Sequence, residues 1–166
     1  MIDVLGAMYD LVQKFASTPA DNILRAWPDR AALPLQSYAV MTLINVARRG
    51  TNSTDFTFDP ATEEDGELTE SVLRETMVQL DFVGEDAADN ADKFEMLSRS
   101  SIFCDFLEPY GISPLFADTP REMTKPDGTD QYAVRYVVTL TISYWDETSV
   151  PVPWFDDATL TTEVIQ

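Results

Sequence analysis

A strand that turns directly into a helix is the feature that most constrains the fold of this chain. Apolar and polar side chains alternate from Val78 to Phe82, which is typical of a strand with one buried face. Gly84 interrupts this pattern, and the acidic residues after it suit a helix start, where free backbone N–H groups favour negative charge. An apolar helical face follows, formed by Ala87, Ala91 and Phe94. The sequence therefore predicts a helix that lies back across the sheet.

Other segments also have a clear periodicity. Residues 3–15 predict an amphipathic helix with Asp3 as its cap. Residues 38–49 carry apolar side chains on both faces, which predicts a central strand covered on both sides. Residues 132–145 alternate throughout and would span ~45 Å if straight, at about 3.3 Å per residue, so we expect a strand that bends or extends beyond the core. Pro114 predicts an edge position for the short extended segment around it.

An acidic stretch at residues 62–66 separates two strand-like segments and predicts the tip of a hairpin. Near the C-terminus, an alternating segment could add a strand to a neighbouring chain through main-chain hydrogen bonds, or pack locally. We therefore predict a single α+β domain at residues 1–146, built on a mixed or antiparallel sheet flanked by helices. A C-terminal extension or arm follows at residues 147–166.

The composition excludes several kinds of active site. The 166 residues include no histidine, which rules out a Ser–His–Asp triad, a Cys–His pair and His-ligated zinc or haem. Cys104 is the only cysteine, and its apolar neighbours predict a buried structural thiol. The sequence contains none of the common nucleotide-binding or nucleophile motifs, so we expect no enzyme activity, cofactor or metal. A carboxylate-based hydrolase is the enzyme class that this composition leaves open.

The charge of the chain bears on its partners. With 29 acidic and 11 basic residues, the formal net charge is -18. Such a surface repels nucleic acid. Solubility alone would account for this charge, and so would a surface that DNA must pass without adhering. A third interpretation is an acidic inhibitor that mimics DNA and occupies a nucleic-acid-binding protein.

A small set of aromatic and charged residues forms the candidate interface with other chains. The most basic point of the chain, at residues 48–49, could contact an acidic loop of a neighbouring subunit, or simply end a strand in solvent. Trp27 could anchor a contact or cover the chain's own core. The acidic residues at 63–65 lack the spacing of a calcium loop, which favours a solvated loop. The candidate interface residues are Trp27, Arg30, Arg48, Arg49, Glu63, Glu64, Asp65, Arg74 and Trp154.

The order of several segments resembles that of neck or tail terminator proteins of long-tailed bacteriophages. The segments are residues 27–34 (WPDRAALP), 38–44 (YAVMTLI), 48–52 (RRGTN), 78–84 (VQLDFVG), 87–91 (AADNA), 104–106 (CDF), 111–117 (GISPLFA), 120–121 (PR) and 131–136 (QYAVRY). The resemblance covers residues 22–145, and the tail after Asp146 lies outside it.

The resemblance implies a structural role in the virion, with assembly in the host cytoplasm. Tail terminators form a ring, usually of six subunits, at the head-proximal end of the tail, where they stop tube polymerisation and present a surface to the head connector. The implied partners are further copies of the chain, the tail tube protein and the head–tail connector protein, with the tail sheath as a further candidate. DNA would pass through the lumen without specific binding, and no membrane is involved.

Overall fold

The computed structural model describes residues 2–25, 34, 37–58, 65–123, 125–127 and 131–153. Within these residues the chain forms three α-helices and nine β-strands, which confirms the α+β prediction. In chain order they are α1 (Val4–Phe15), β1 (Ile23–Arg25), β2 (Tyr38–Arg48), β3 (Ser53–Phe58), β4 (Asp65–Val83), α2 (Ala87–Leu97), α3 (Ser101–Leu107), β5 (Ile112–Ala117), β6 (Arg121–Glu122), β7 (Lys125–Asp127), β8 (Gln131–Ala133) and β9 (Arg135–Pro153). None of the helices in these residues is long and apolar enough to cross a membrane.

Seven of the strands form one mixed sheet whose main path is β1-β2-β4-β9-β5. Only the pairing of β1 with β2 is parallel, and β2, β4, β9 and β5 follow one another in antiparallel order. The strand β3 continues along β4 beyond the end of β2, so β3 and β4 form the predicted hairpin. The short β6 pairs with β9, and β7 pairs with β8 in antiparallel order as a separate two-stranded sheet.

The two central strands are unusually long. Both β4 and β9 contain 19 residues and pair over their whole length, from Asp65 opposite Pro153 to Val83 opposite Arg135. At about 3.3 Å per residue they would span ~60 Å if straight. This length confirms that the last long strand extends beyond the core. Residues 147–153 continue β9 and pair within the same chain, so the expected start of the extension at 147 falls inside a strand, and residues 154–166 lie outside the described residues.

The three helices pack on one face of the sheet. The side chain of Asp3 caps α1 as predicted, because its Oδ1 accepts a hydrogen bond from the Gly6 N–H at 2.8 Å. A group of phenylalanines joins the layers: the ring of Phe94 on α2 lies 5.2 Å from Phe82 and 5.3 Å from Phe103. Gly84 makes the turn from β4 towards α2 at a φ of 114°, which confirms the predicted strand-to-helix connection.

Two predictions of burial are wrong, and each has a physical reason. The strand β2 is buried on both faces only through Met41, because β1 pairs with residues 39–41 alone, and Leu43, Ile44 and Val46 are exposed. Cys104 is exposed rather than buried. The short helix α3 turns Phe103 towards the core, and the next residue along a helix points about 100° away from it.

Candidate functional site

A three-stranded extension of the sheet projects beyond the helices. This projection consists of β3, residues 65–71 of β4 and residues 147–153 of β9, which pair with one another throughout. In the described core, the buried residues of β4 lie at 78–82 and those of β9 lie at 138–142. Both ranges are outside the projection. Seven residues at about 3.3 Å each carry the projection ~23 Å beyond the covered part of the sheet.

The two faces of the projection differ in chemistry. Phe56, Leu68 and Val150 lie opposite one another in a row on one face. Phe56 is 39% and Val150 is 44% exposed and Leu68 is half-buried, so the row keeps part of its apolar surface accessible. The other face is polar and acidic, with Asp55 and Glu67 among its members, and Thr69 and Ser149 share a hydrogen bond of 2.9 Å there. A partly exposed apolar row beside acidic strands is typical of a protein contact surface.

Two ion pairs hold the base of the projection. The Arg49 guanidinium donates to both carboxylate oxygens of Glu75, at 3.0 and 2.5 Å, and these hydrogen bonds hold the pKa of Glu75 below its ordinary value. Arg74 Nε donates to Asp146 Oδ2 at 2.7 Å, which joins β4 to β9. Both arginines therefore have carboxylate partners within the chain.

Arg48 is held differently from its neighbour. Its Nε donates to the Gly50 carbonyl at 2.7 Å and its Nη2 donates to Asn52 Oδ1 at 2.5 Å. Both acceptors are neutral, and no carboxylate among the described residues forms an ion pair with Arg48. The structure therefore presents an oriented, exposed cation at the end of β2.

Of the remaining candidate residues, Asp65 lies at the far end of the projection and the others lie outside the described residues. Asp65 begins β4 opposite Pro153. It is nine residues from Arg74 along the strand, about 30 Å. The structure therefore does not bring Asp65 and Arg74 together within one chain. The candidates outside the described residues are Trp27, Arg30, Glu63, Glu64 and Trp154.

The edge position predicted from Pro114 is confirmed, because β5 is the last strand of the sheet, but the sequence analysis missed a groove beside it. On the edge strand β5, Leu115 and Phe116 are 42% and 40% exposed. Beside this strand, α3 and β5 line a groove of about 450 Å³ that contains Asp105, Glu108 and Cys104. The cysteine that begins the CDF segment is the sequence signal that could have pointed to this groove. In the described residues, no cluster of histidine, cysteine or acidic side chains is placed to hold a metal ion.

Comparison with known proteins identifies the family. No curated protein sequence matches the chain. The model of a family described as phage neck terminator protein matches residues 4–165. This match covers nearly the whole sequence, including the tail that lay outside the resemblance noted from the sequence. The chain therefore belongs to the phage neck terminator protein family, and it has a structural role in the neck of a bacteriophage virion.

Proposed function

We propose that copies of this chain form a hexameric ring at the head-proximal end of the phage tail. There the ring stops polymerisation of the tail tube and joins the tail to the head connector. Membership of the neck terminator family supports a position between head and tail components. The observation that best supports the ring and its contact with the tube is the projection. Its three hydrogen-bonded strands present two chemically different faces away from the core.

The apolar row of the projection is the proposed contact with the tail tube. Side chains of this size are stabilised by about 1.5–3 kcal/mol each when they are fully buried, so a partner that covers the exposed parts of Phe56 and Val150 would gain part of that stabilisation. In a ring, rotational symmetry places every projection in an equivalent orientation. A set of such projections is suited to meet the end of a tube built from repeated subunits.

The acidic surface is the proposed lining of the ring's lumen. The polar face of the projection carries Asp55, Glu67 and Glu147, and the chain as a whole has a net charge of -18. Negative charge near the path of DNA lowers the adhesion of the phosphate backbone. A neutral or basic lumen in the assembled ring would contradict this part of the proposal.

Electron microscopy of the protein mixed with tubes of its phage's tail tube protein tests the proposal. We expect rings that cap one end of each tube, and tubes that no longer elongate. Val150→Asp should abolish capping because it places a charge in the apolar row. Val134→Asp is the matched control, since Val134 and Val150 are both 44% exposed and only Val150 lies in the projection.

The outcomes separate the alternatives. Equal capping by the two variants would show that the projection is not the contact with the tube. A wild-type protein that ignores tubes but captures basic proteins, with binding that falls steeply as salt is added, would favour the acidic DNA mimic.

A further inference from the structure

The free part of β2 is an exposed apolar strand edge. Within the described residues, β1 pairs with β2 only at residues 39–41, and β4 occupies the other side of β2. Beyond Met41, Leu43, Ile44 and Val46 are 41%, 51% and 42% exposed. An apolar strand edge of this kind readily pairs with a strand of another chain.

The opposite edge of the same sheet is β5. It pairs with β9 on one side, and its Leu115 and Phe116 are exposed. Pro114 has no N–H, which shortens the hydrogen-bonded ladder that this edge can offer to a neighbour. Side-chain contacts should therefore contribute much of any pairing at this edge.

The two edges lie at the same level of the sheet. Paired residues in successive strands form rows that cross it from β2 to β5. One row contains Arg48, Arg74, Tyr144 and Ile112. Another contains Val46, Thr76, Ile142 and Pro114. The exposed edges of β2 and β5 therefore lie at the two ends of the same rows and face outward in opposite directions.

The strand directions also match. The steps from β2 through β4 and β9 to β5 are all antiparallel, so β2 and β5 run in opposite directions. Rotation of a second copy about an axis along the strands brings its β5 beside the first copy's β2 in antiparallel order. The helices of both copies stay on the same side. Such a contact joins different surfaces of identical chains, and it closes into a ring when the rotation is right.

The charges at the two edges are complementary. Arg48 ends β2 as a cation held only by neutral acceptors among the described residues. Ile112, in the same row on the other edge, lines the groove that contains Asp105 and Glu108. Each subunit carries a charge of -18, so subunits repel one another, and a cation placed against two carboxylates offsets part of that repulsion.

We infer that neighbouring subunits join through these edges: residues 42–48 of β2 on one copy lie along β5 of the next, and Arg48 enters the groove between α3 and β5. The inference rests on the proposed ring and specifies its subunit interface. On the face away from the helices, Ile44 would then pack against Leu115 and Phe116 of the adjacent copy, because all three lie in the row of Met77 and Thr141.

Cross-linking tests the contact directly, because the chain's only cysteine, Cys104, lines the groove. In Val46→Cys, a short bismaleimide should join the new thiol to Cys104 of the next subunit. We expect denaturing gels of rings on tubes to show a ladder of covalent oligomers that ends at the ring's subunit number. The matched control is Lys93→Cys, an exposed position on α2, which should give no ladder.

Charge reversal tests the role of Arg48. We expect Arg48→Glu and Glu108→Arg each to weaken ring assembly by roughly tenfold, and the double variant to recover most of the loss. Lys93→Glu changes the net charge as Arg48→Glu does and should leave assembly unaffected.

The two proposals fail in different ways. Rings on tubes that give neither the ladder nor the charge-reversal effect would overturn this interface and leave the proposed function standing. A wild-type protein that forms no ring under any condition with tubes would overturn the proposed function, and the interface with it.

Discussion

A buried ion pair ties the two long strands together, and its loss should destabilise the chain strongly. The side chain of Asp81 on β4 is fully buried, on the face opposite the helices. Its Oδ1 accepts hydrogen bonds from Arg135 Nε at 3.0 Å and Nη2 at 2.7 Å. The amide of Gln79 donates to both carboxylate oxygens, at 3.1 and 2.9 Å. The carboxylate is thus compensated by one cation and one neutral amide.

The substitution Arg135→Met removes the guanidinium and keeps a long apolar stem. Asp81 would then remain as a buried charge with Gln79 as its only remaining side-chain donor among the described residues. Breaking a buried ion pair in this way costs about 3–5 kcal/mol. Because the Arg135 side chain is 18% exposed, water reaches it in part, and we expect the lower end, ~3 kcal/mol. For a domain of this size the melting temperature should fall by roughly 6–12 °C.

Urea denaturation followed by circular dichroism measures this loss. Adding Asp81→Asn to Arg135→Met should restore part of the stability, since a neutral amide needs no cation. Arg121→Met on the neighbouring strand β6 is the control, because Arg121 is exposed, and its effect should stay within about 0.5 kcal/mol. A loss of less than about 1 kcal/mol for Arg135→Met would show that the buried carboxylate does not depend on this cation.

Further predictions rest on single positions. Phe103→Ala should lower the free energy of unfolding by about 3–5 kcal/mol because Phe103 is fully buried, whereas Ile102→Ala, at a 49% exposed site, should cost far less in the same urea titration. Gly84→Ala should lower the free energy of unfolding by more than about 1 kcal/mol, because φ is 114° and a Cβ would meet nearby backbone. A Cβ at Gly50 would meet no other atom within 4 Å, so Gly50→Ala should leave the melting temperature nearly unchanged. Cys104 should react stoichiometrically with a disulfide reagent in the native protein, and a thiol that reacts only in urea would contradict its exposure.

Periodicity predicted the first two helices and the position of the last long strand, because both patterns are local, but β9 ends at Pro153, eight residues beyond the predicted end. The helix after Asp3 begins where predicted, and the strand-to-helix turn lies at Gly84. The Asp81–Arg135 pair was not predicted. Alternation places Asp81 on the face away from the helices, which suggests solvent. Its burial depends on the register between β4 and β9, and no local pattern contains that register.

The candidate site was predicted only in part, for a related reason. Arg48 and Arg49 are adjacent and look alike in sequence, yet Arg49 pairs with Glu75 and Arg48 contacts neutral acceptors. That difference depends on which strand lies beside each side chain. The exposure of Cys104 likewise depends on the rotation of a short helix, which a run of apolar residues does not determine.

The apolar character of β2 on both faces connects the sequence to the proposed assembly. In the isolated chain that pattern predicts more burial than the structure supplies, because cover ends at Met41 and Leu43 to Val46 are exposed. A solvated edge strand would be stable with polar residues there, and such residues would also suppress unwanted pairing. The proposed contact with β5 of the next subunit supplies the missing cover at that edge. The same contact places Arg48, which has no carboxylate partner among the described residues, against carboxylates, so the apolar segment and this cation have one explanation.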